Sequence, residues 1–246
     1  EPRWQVTYGG ATYDGYWALA AALKQALDRG LPILDPAYLE TIDAVRLGDL
    51  LDGRHPIPLL EKRPGAFRKP GRILPERFGG HFSACIAAAR GSATPLARLV
   101  VEAFPSFNDV ATYHGEEVRF YKRAQILASD LYGAFHGAGL GALDDMDKLT
   151  AFADYKVPQV LHHLGVLVYD VELTHLLRQC IEIPAGTPLE VEIRAATIWG
   201  VEAISEALAR RDRPLAPYQI DWALWQLGQD LPPDVLPYHR TRTIFY

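Results

Sequence analysis

The sequence predicts a mainly α-helical fold: a single helical domain with small β-hairpin or edge-strand pieces near both ends. Three observations carry this. Apolar residues recur at helical spacing through most of the chain. Acids and prolines stand where helices open, as at Asp35-Pro36 and Asp170. Alternation of polar and apolar residues is confined to the two ends of the chain.

Gln5-Val6-Thr7-Tyr8, Gly9-Gly10 and Ala11-Thr12-Tyr13 read as a hairpin closed by a two-glycine turn. A helix follows, with Tyr16, Leu19, Ala20, Leu23 and Leu27 on one face, and Gly30 and Pro32 stop it. Asp35-Pro36 opens the next helix, and a short one around Leu47 to Leu51 ends at Gly53. Residues 61–79 hold Lys62, Arg63, Arg68, Lys69, Arg72 and Arg77, broken by Pro64, Pro70 and Pro75, which reads as a solvated face or loop. Ser92 to Phe104 is an amphipathic helix capped near Thr94-Pro95. Arg119-Phe120-Tyr121 reads as a short strand before a helix from Lys122 to Phe135. The loop Gly137 to Gly141 leads to Asp147, the expected N-cap of a helix reaching Phe152. Pro158 to Leu164 makes the next helix, ended by Gly165. Asp170 caps a helix through Cys180, and a linker runs from Pro184 to Pro188. Leu189 to Arg211 forms one long helix and Ile220 to Leu227 the last. The tail Arg240 to Tyr246 alternates like an edge strand. No composition shift marks a domain boundary, so residues 1–246 are expected to form one domain.

The 246 residues are 49% hydrophobic and 22% charged, ordinary for a soluble globular protein. A net charge of −5 argues against coating a nucleic-acid backbone, which needs a positive excess. It leaves room for one nucleotide in a local basic pocket. Cys85 and Cys180 make no disulfide framework, which points to a reducing, cytoplasmic setting. No stretch approaches the roughly 20 apolar residues of a membrane span. The start, Glu1-Pro2-Arg3-Trp4, carries no signal-peptide pattern and reads as the interior of a longer protein.

Several motifs are missing. There is no GxGxxG fingerprint, no P-loop, no HExxH and no GxSxG. Gly137-Ala138-Gly139-Leu140-Gly141 lacks the flanking strand of a phosphate loop, and neither cysteine has a metal-spaced partner. No metal and no cofactor are expected. The lone His81, His114 and His175 read as surface or satisfied core residues.

The most informative stretch is Phe152-Ala153-Asp154-Tyr155-Lys156-Val157-Pro158-Gln159-Val160-Leu161. It sets one carboxylate between two aromatic rings at a helix break. That arrangement can stack a flat ring and hold negative charge beside it. It equally fits a helix cap with two core aromatics. Around it stand further acids (Glu202, Asp221), aromatics (Trp199, Trp222) and bases (Lys122, Arg123, Arg194, His239, Arg240, Arg242), each of which also has a purely structural reading. Trp199 and Glu202 are three apart and share a helix face.

The chain resembles the queuosine salvage family, the queuosine 5′-phosphate N-glycosylases. The matching segments are Gly15-Tyr16-Trp17-Ala18-Leu19, Phe78-Gly79-Gly80, Phe104-Pro105-Ser106-Phe107 and Phe120-Tyr121-Lys122-Arg123-Ala124-Gln125-Ile126-Leu127. Leu149 through Leu161, Glu190-Val191-Glu192-Ile193-Arg194 with Trp199 and Glu202, and Pro237-Tyr238-His239-Arg240-Thr241-Arg242 complete the set. The resemblance implies cleavage of the N-glycosidic bond of queuosine 5′-monophosphate, and a helical fold similar to helix-hairpin-helix DNA glycosylases. It also implies a family segment before the first hairpin, after which this sequence is expected to start.

Such a reaction builds oxocarbenium-like charge on ribose, which a fixed carboxylate stabilises. Asp154 is the expected catalytic residue. The base is a 7-deazaguanine without N7, so the leaving group must be stabilised through its edge, whose N–H donors suit carboxylates. Glu202 and Asp221 are the candidates for that edge or for the side-arm ammonium. Phe152, Tyr155 and Trp199 are candidates to stack the base. Lys122 and Arg123 at a helix start, with Arg194, His239 and Arg240, are candidates for the 5′-phosphate. The expected partner is this small nucleotide, with no membrane and no stable nucleic-acid partner. Two alternatives remain: a base-excising glycosylase acting on DNA or RNA, and a non-catalytic helix-hairpin-helix nucleic-acid-binding module.

Overall fold

A computed structural model describes residues 4–55, 57 and 59–246. Glu1-Pro2-Arg3, part of the stretch read for a signal peptide, lies outside the described residues. The chain is mainly helical, as predicted, with two antiparallel strand pairs among the described residues. It divides into two compact units, residues 1–84 and 85–246.

In the first unit, β1 (Gln5–Tyr8) and β2 (Ala11–Asp14) pair with Tyr8 opposite Ala11. Gly9 and Gly10 take φ of 58° and 83°, the left-handed values that this two-residue turn requires. Helix α1 (Gly15–Asp28) follows, and here the predicted face is corrected. Its buried side is Ala18, Ala21, Ala22 and Ala26, while Tyr16 is 52% exposed and Leu27 39%. The alanine stripe admits a close approach to Trp4, Val6, Ile42, Leu47 and Leu50, with Leu19 and Leu23 at its margin. Asp35 accepts from the Ala37 N–H at the start of α2 (Pro36–Glu40), and Asp43 caps α3 (Ala44–Leu50) through the Arg46 N–H.

Residues 61–79 are not a loop. Pro64–Phe78 is helix α4, with Pro70 and Pro75 inside it. Its basic side chains are largely exposed, so the solvated face is real. What holds the helix is the other side, where Pro64, Gly71, Ile73 and Phe78 are buried. Gly71 lies against α2: a Cβ there would stand 2.5 Å from the Glu40 nitrogen. The division between units falls within α5 (Phe82–Ala88).

After α5 the second unit continues with α6 (Ala93–Ala103). The cap is not Thr94-Pro95. Ser92 stands at the N-cap, and the Ala93 and Thr94 N–H groups are met by the distant Asp145 carboxylate at 2.6 and 3.4 Å. A second hairpin, β3 (Val110–Tyr113) with β4 (Glu116–Arg119), was not foreseen, and it ends where the strand at Arg119-Phe120-Tyr121 was expected to begin. Then come α7 (Lys122–Ala134), α8 (Lys156–His163), α9 (Val171–Arg178), α10 (Pro188–Ala209) and α11 (Pro217–Leu227). The tail contributes a single bridge, Arg240 beside Glu182.

The main core of this unit joins Val157, Val160 and Leu161 of α8, Val201 of α10, and Ile220 and Leu224 of α11. Each such side chain contributes roughly 1.5–3 kcal/mol on burial. Cys85 is buried and Cys180 partly buried. Among the described residues no helix is long and apolar enough to cross a membrane.

Candidate active site

The segment before Asp154 is bonded by side chains of α7, α10 and α11. A helix from Asp147 to Phe152 was expected; only a turn, Met146–Lys148, forms. The physical reason is that side chains from two other helices take backbone N–H groups a helix would use. Gln125 of α7 accepts from the Thr150 N–H at 2.8 Å. Asp221 of α11 accepts from the Phe152 N–H at 2.8 Å. Arg194 of α10 donates from Nε to the Ala153 carbonyl at 3.0 Å. Asp154 then opens α8: its Oδ1 accepts from the Lys156 and Val157 N–H groups at 2.7 and 3.1 Å. The helix-cap reading of Asp154 is therefore correct, and it occupies only one of the two oxygens.

The other oxygen faces charge. Lys122 Nζ stands 3.6 Å from Asp154 Oδ2, an ionic contact rather than a hydrogen bond. Both side chains are nearly buried, at 13% and 6% exposure. Asp221 is buried as well, and burial together with the Asp154 charge pushes its carboxyl up to about 7, against the pull of the Phe152 N–H and Lys122. Burial holds His239 down at about 4, although Asp154 draws it upward, so the imidazole is neutral at neutral pH. One ammonium, two carboxyls and one neutral imidazole thus share a largely dehydrated space, where charges act strongly on one another.

Beneath this cluster lies a second one. Arg194 is 3% exposed and grips Asp109 through both terminal nitrogens, Nη1 to Oδ1 at 3.0 Å and Nη2 to Oδ2 at 2.5 Å. Nη1 also lies 3.5 Å from Glu190 Oε1. The guanidinium sits between the rings of Phe120 and Tyr246, at 3.8 and 4.7 Å from their centroids. Tyr246 in turn donates its hydroxyl to Glu190 at 2.6 Å.

A family model described as queuosine salvage protein matches residues 1–246. The chain belongs to the queuosine salvage family. A protein of Sphaerobacter thermophilus is 61% identical over 246 residues, covering all of this chain and 76% of that one. Relatives in Mus musculus and Bos taurus are 40% and 39% identical, over 98% and 100% of this chain and 75% and 76% of theirs. All three bear the name queuosine 5′-phosphate N-glycosylase/hydrolase.

In this member of the family, the expected site residues divide into those brought together and those left apart. Asp154, Asp221, Lys122 and His239 share the cluster, and Phe152 and Arg194 brace it. Phe152 is 3% exposed, a core ring rather than an open platform. Tyr155 is half-exposed and lies 4.7 Å from Tyr238, tilted by 42°. Arg123 is held by the carbonyls of Ser106 and Ile244, at 3.5 and 3.0 Å, with the Phe107 ring at its face. Trp199 is 75% exposed on the side of α10 away from Glu190 and Arg194. Glu202 lies partly buried on that helix, its carboxyl raised by burial and by Glu206. Trp222 stands edge-on to Tyr218, and Arg242 pairs with Glu182 at 3.1 Å. The Arg240 side chain is exposed.

Sequence reasoning passed over Asp109, Glu190, Tyr238 and Tyr246. Glu190 and Arg194 did offer a signal, an acid and a base four apart on one helix. Asp109 offered none, since its partner is 85 residues away. A cavity of about 350 Å³ has Tyr238 and His239 on its wall, with Gln159, His162 and Asp234.

Proposed function

We propose that this protein hydrolyses the N-glycosidic bond of queuosine 5′-monophosphate, releasing queuine and ribose 5-phosphate; its relatives bear the name queuosine 5′-phosphate N-glycosylase/hydrolase. The observation that supports this best is the buried pair Asp154 and Asp221, with Lys122 against the first. Two carboxyls in unlike environments suit the two needs of the reaction. Hydrolysis breaks the C1′–N bond, and the bonding electrons leave with the base. Asp154 stabilises the positive charge growing on the sugar, directs water to C1′ and takes the water's proton. Asp221, protonated through part of the neutral range, donates to the departing base. Lys122 holds Asp154 from its other side. His239, neutral, serves as a hydrogen-bonding wall rather than a cation. Tyr155 and Tyr238 offer the base a half-exposed aromatic platform. The setting is cytoplasmic and the partner is the free nucleotide.

The test is to incubate the protein with queuosine 5′-monophosphate and, separately, guanosine 5′-monophosphate, and to follow free base by liquid chromatography. Queuine without guanine is the expected result. Release of neither base, from a folded preparation, overturns the proposal.

A further inference from the structure

We infer that Asp109 is a positioning residue that sets the Lys122–Asp154 pair by gripping both sides of it. The inference rests on the hydrolysis proposed above and concerns what holds its two central groups in place.

Asp109 is 1% exposed. On one side it fastens the start of α7. Its backbone carbonyl accepts from the Phe120 and Tyr121 N–H groups at 3.0 and 3.1 Å, and its Oδ2 accepts from the Lys122 N–H at 3.3 Å. On the other side the same carboxylate takes both terminal nitrogens of Arg194. The third Arg194 donor, Nε, ends on the carbonyl of Ala153, the residue before Asp154. One continuous chain of contacts therefore runs from the Lys122 backbone through Asp109 and Arg194 to the carbonyl of Ala153, whose peptide bond leads into Asp154. The guanidinium is planar and clamped between two rings, so its three bonds fix direction as well as distance. The Asp109 and Arg194 side chains are both buried, at 1% and 3% exposure. Their effect is on the 3.6 Å separation of Lys122 Nζ and Asp154 Oδ2. Displacing a reacting group by about 1 Å can cost on the order of 10²-fold in rate.

The experiment uses the full chain and two variants. Asp109→Asn is the direct change, but it leaves Arg194 charged and half-unpaired in the interior and can fail to fold. Arg194→Lys keeps the charge and the Asp109 contact while losing the planar fork, so it cannot hold Asp109 and Ala153 together. For each folded variant kcat, KM and melting temperature are measured with the 5′-monophosphate, and a crystal structure is determined. The expected result for Arg194→Lys is a fall in kcat of about 10²-fold with KM changed less than about threefold. The crystal structure should show the Lys122–Asp154 separation widened by about 1 Å. A lowered melting temperature with unchanged kcat, or an unchanged separation, overturns the inference. If the unaltered protein releases no base, the proposed hydrolysis fails, and the crystallographic separation still decides the positioning role.

Discussion

At the scale of single residues, Asp154 has two duties that its two oxygens divide. Oδ1 caps α8, and Oδ2 faces Lys122. Substitutions can separate them. Asp154→Asn keeps an acceptor for the helix cap but removes the charge. Its melting temperature should stay near that of the unaltered protein, while base release falls by about 10²–10³-fold. Asp154→Ala loses the cap as well and should be destabilised by about 0.5–2 kcal/mol. Chromatography and thermal melting on the two variants check this, and near-normal turnover by Asp154→Asn would remove the catalytic role. Asp221 gives a pH dependence. Its folded carboxyl titrates at about 7, above its ordinary 3.8, so between those values the folded state holds a proton that the unfolded state has lost. Stability from this group is present at low pH and lost as pH rises through about 7. If the protonated form donates to the base, log kcat should decline above about pH 7, and Asp221→Asn should flatten that decline. A profile in the unaltered protein that stays level from pH 6 to 9 would rule out Asp221 as donor.

At the scale of elements, what could be read in advance was what is local. The first hairpin, the Asp35 cap of α2 and the Asp170 cap of α9 depend on residues a few positions apart, and all three stand as read. The turn-to-helix reading of residues 147–152 failed because Gln125 and Asp221, from other helices, take the Thr150 and Phe152 N–H groups there. Helix α4 failed for a different reason. Pro70 and Pro75 each remove a backbone donor, normally a sign against a helix. Yet Pro64, Phe67, Gly71, Leu74 and Phe78 recur at intervals of three and four, and the glycine hides the period. That glycine is a contact point. In Gly71→Ala the new methyl would meet the backbone of α2, 2.5 Å from the Glu40 nitrogen and 2.7 Å from the Pro36 oxygen. Alanine is the better helix former by about 1 kcal/mol. Overpacking against backbone costs typically about 1–3 kcal/mol and should win. The variant is expected to melt lower; a higher melting temperature would show that α2 and α4 part without cost.

At the scale of the whole molecule, the site was half legible. Asp154, Lys122, Asp221 and His239 were all named from the sequence, but their grouping was not, because it joins α7, α8, α11 and the tail across long separations: Phe152 to Asp221 spans 69 residues. The charge balance was legible outright, and it weighs against a nucleic acid as substrate. A protein that reads a base within DNA or RNA must neutralise backbone phosphates, and its affinity then falls steeply with salt. This chain carries −5, and among the runs read from its sequence only that of α4 is rich in cations. There Lys69, Arg72 and Arg77 point to solvent, and Arg72 already lies 3.9 Å from Glu76. Reversing two of these charges, Lys69→Glu with Arg72→Glu, should leave hydrolysis of the mononucleotide within about twofold, since exposed charges are heavily screened by salt. Excess transfer RNA at low salt should not inhibit the unaltered protein. Kinetics with both proteins across a salt series decide the matter. A tenfold loss in the double variant, or inhibition by RNA that salt relieves, would make α4 a nucleic-acid contact and the polymer the true substrate.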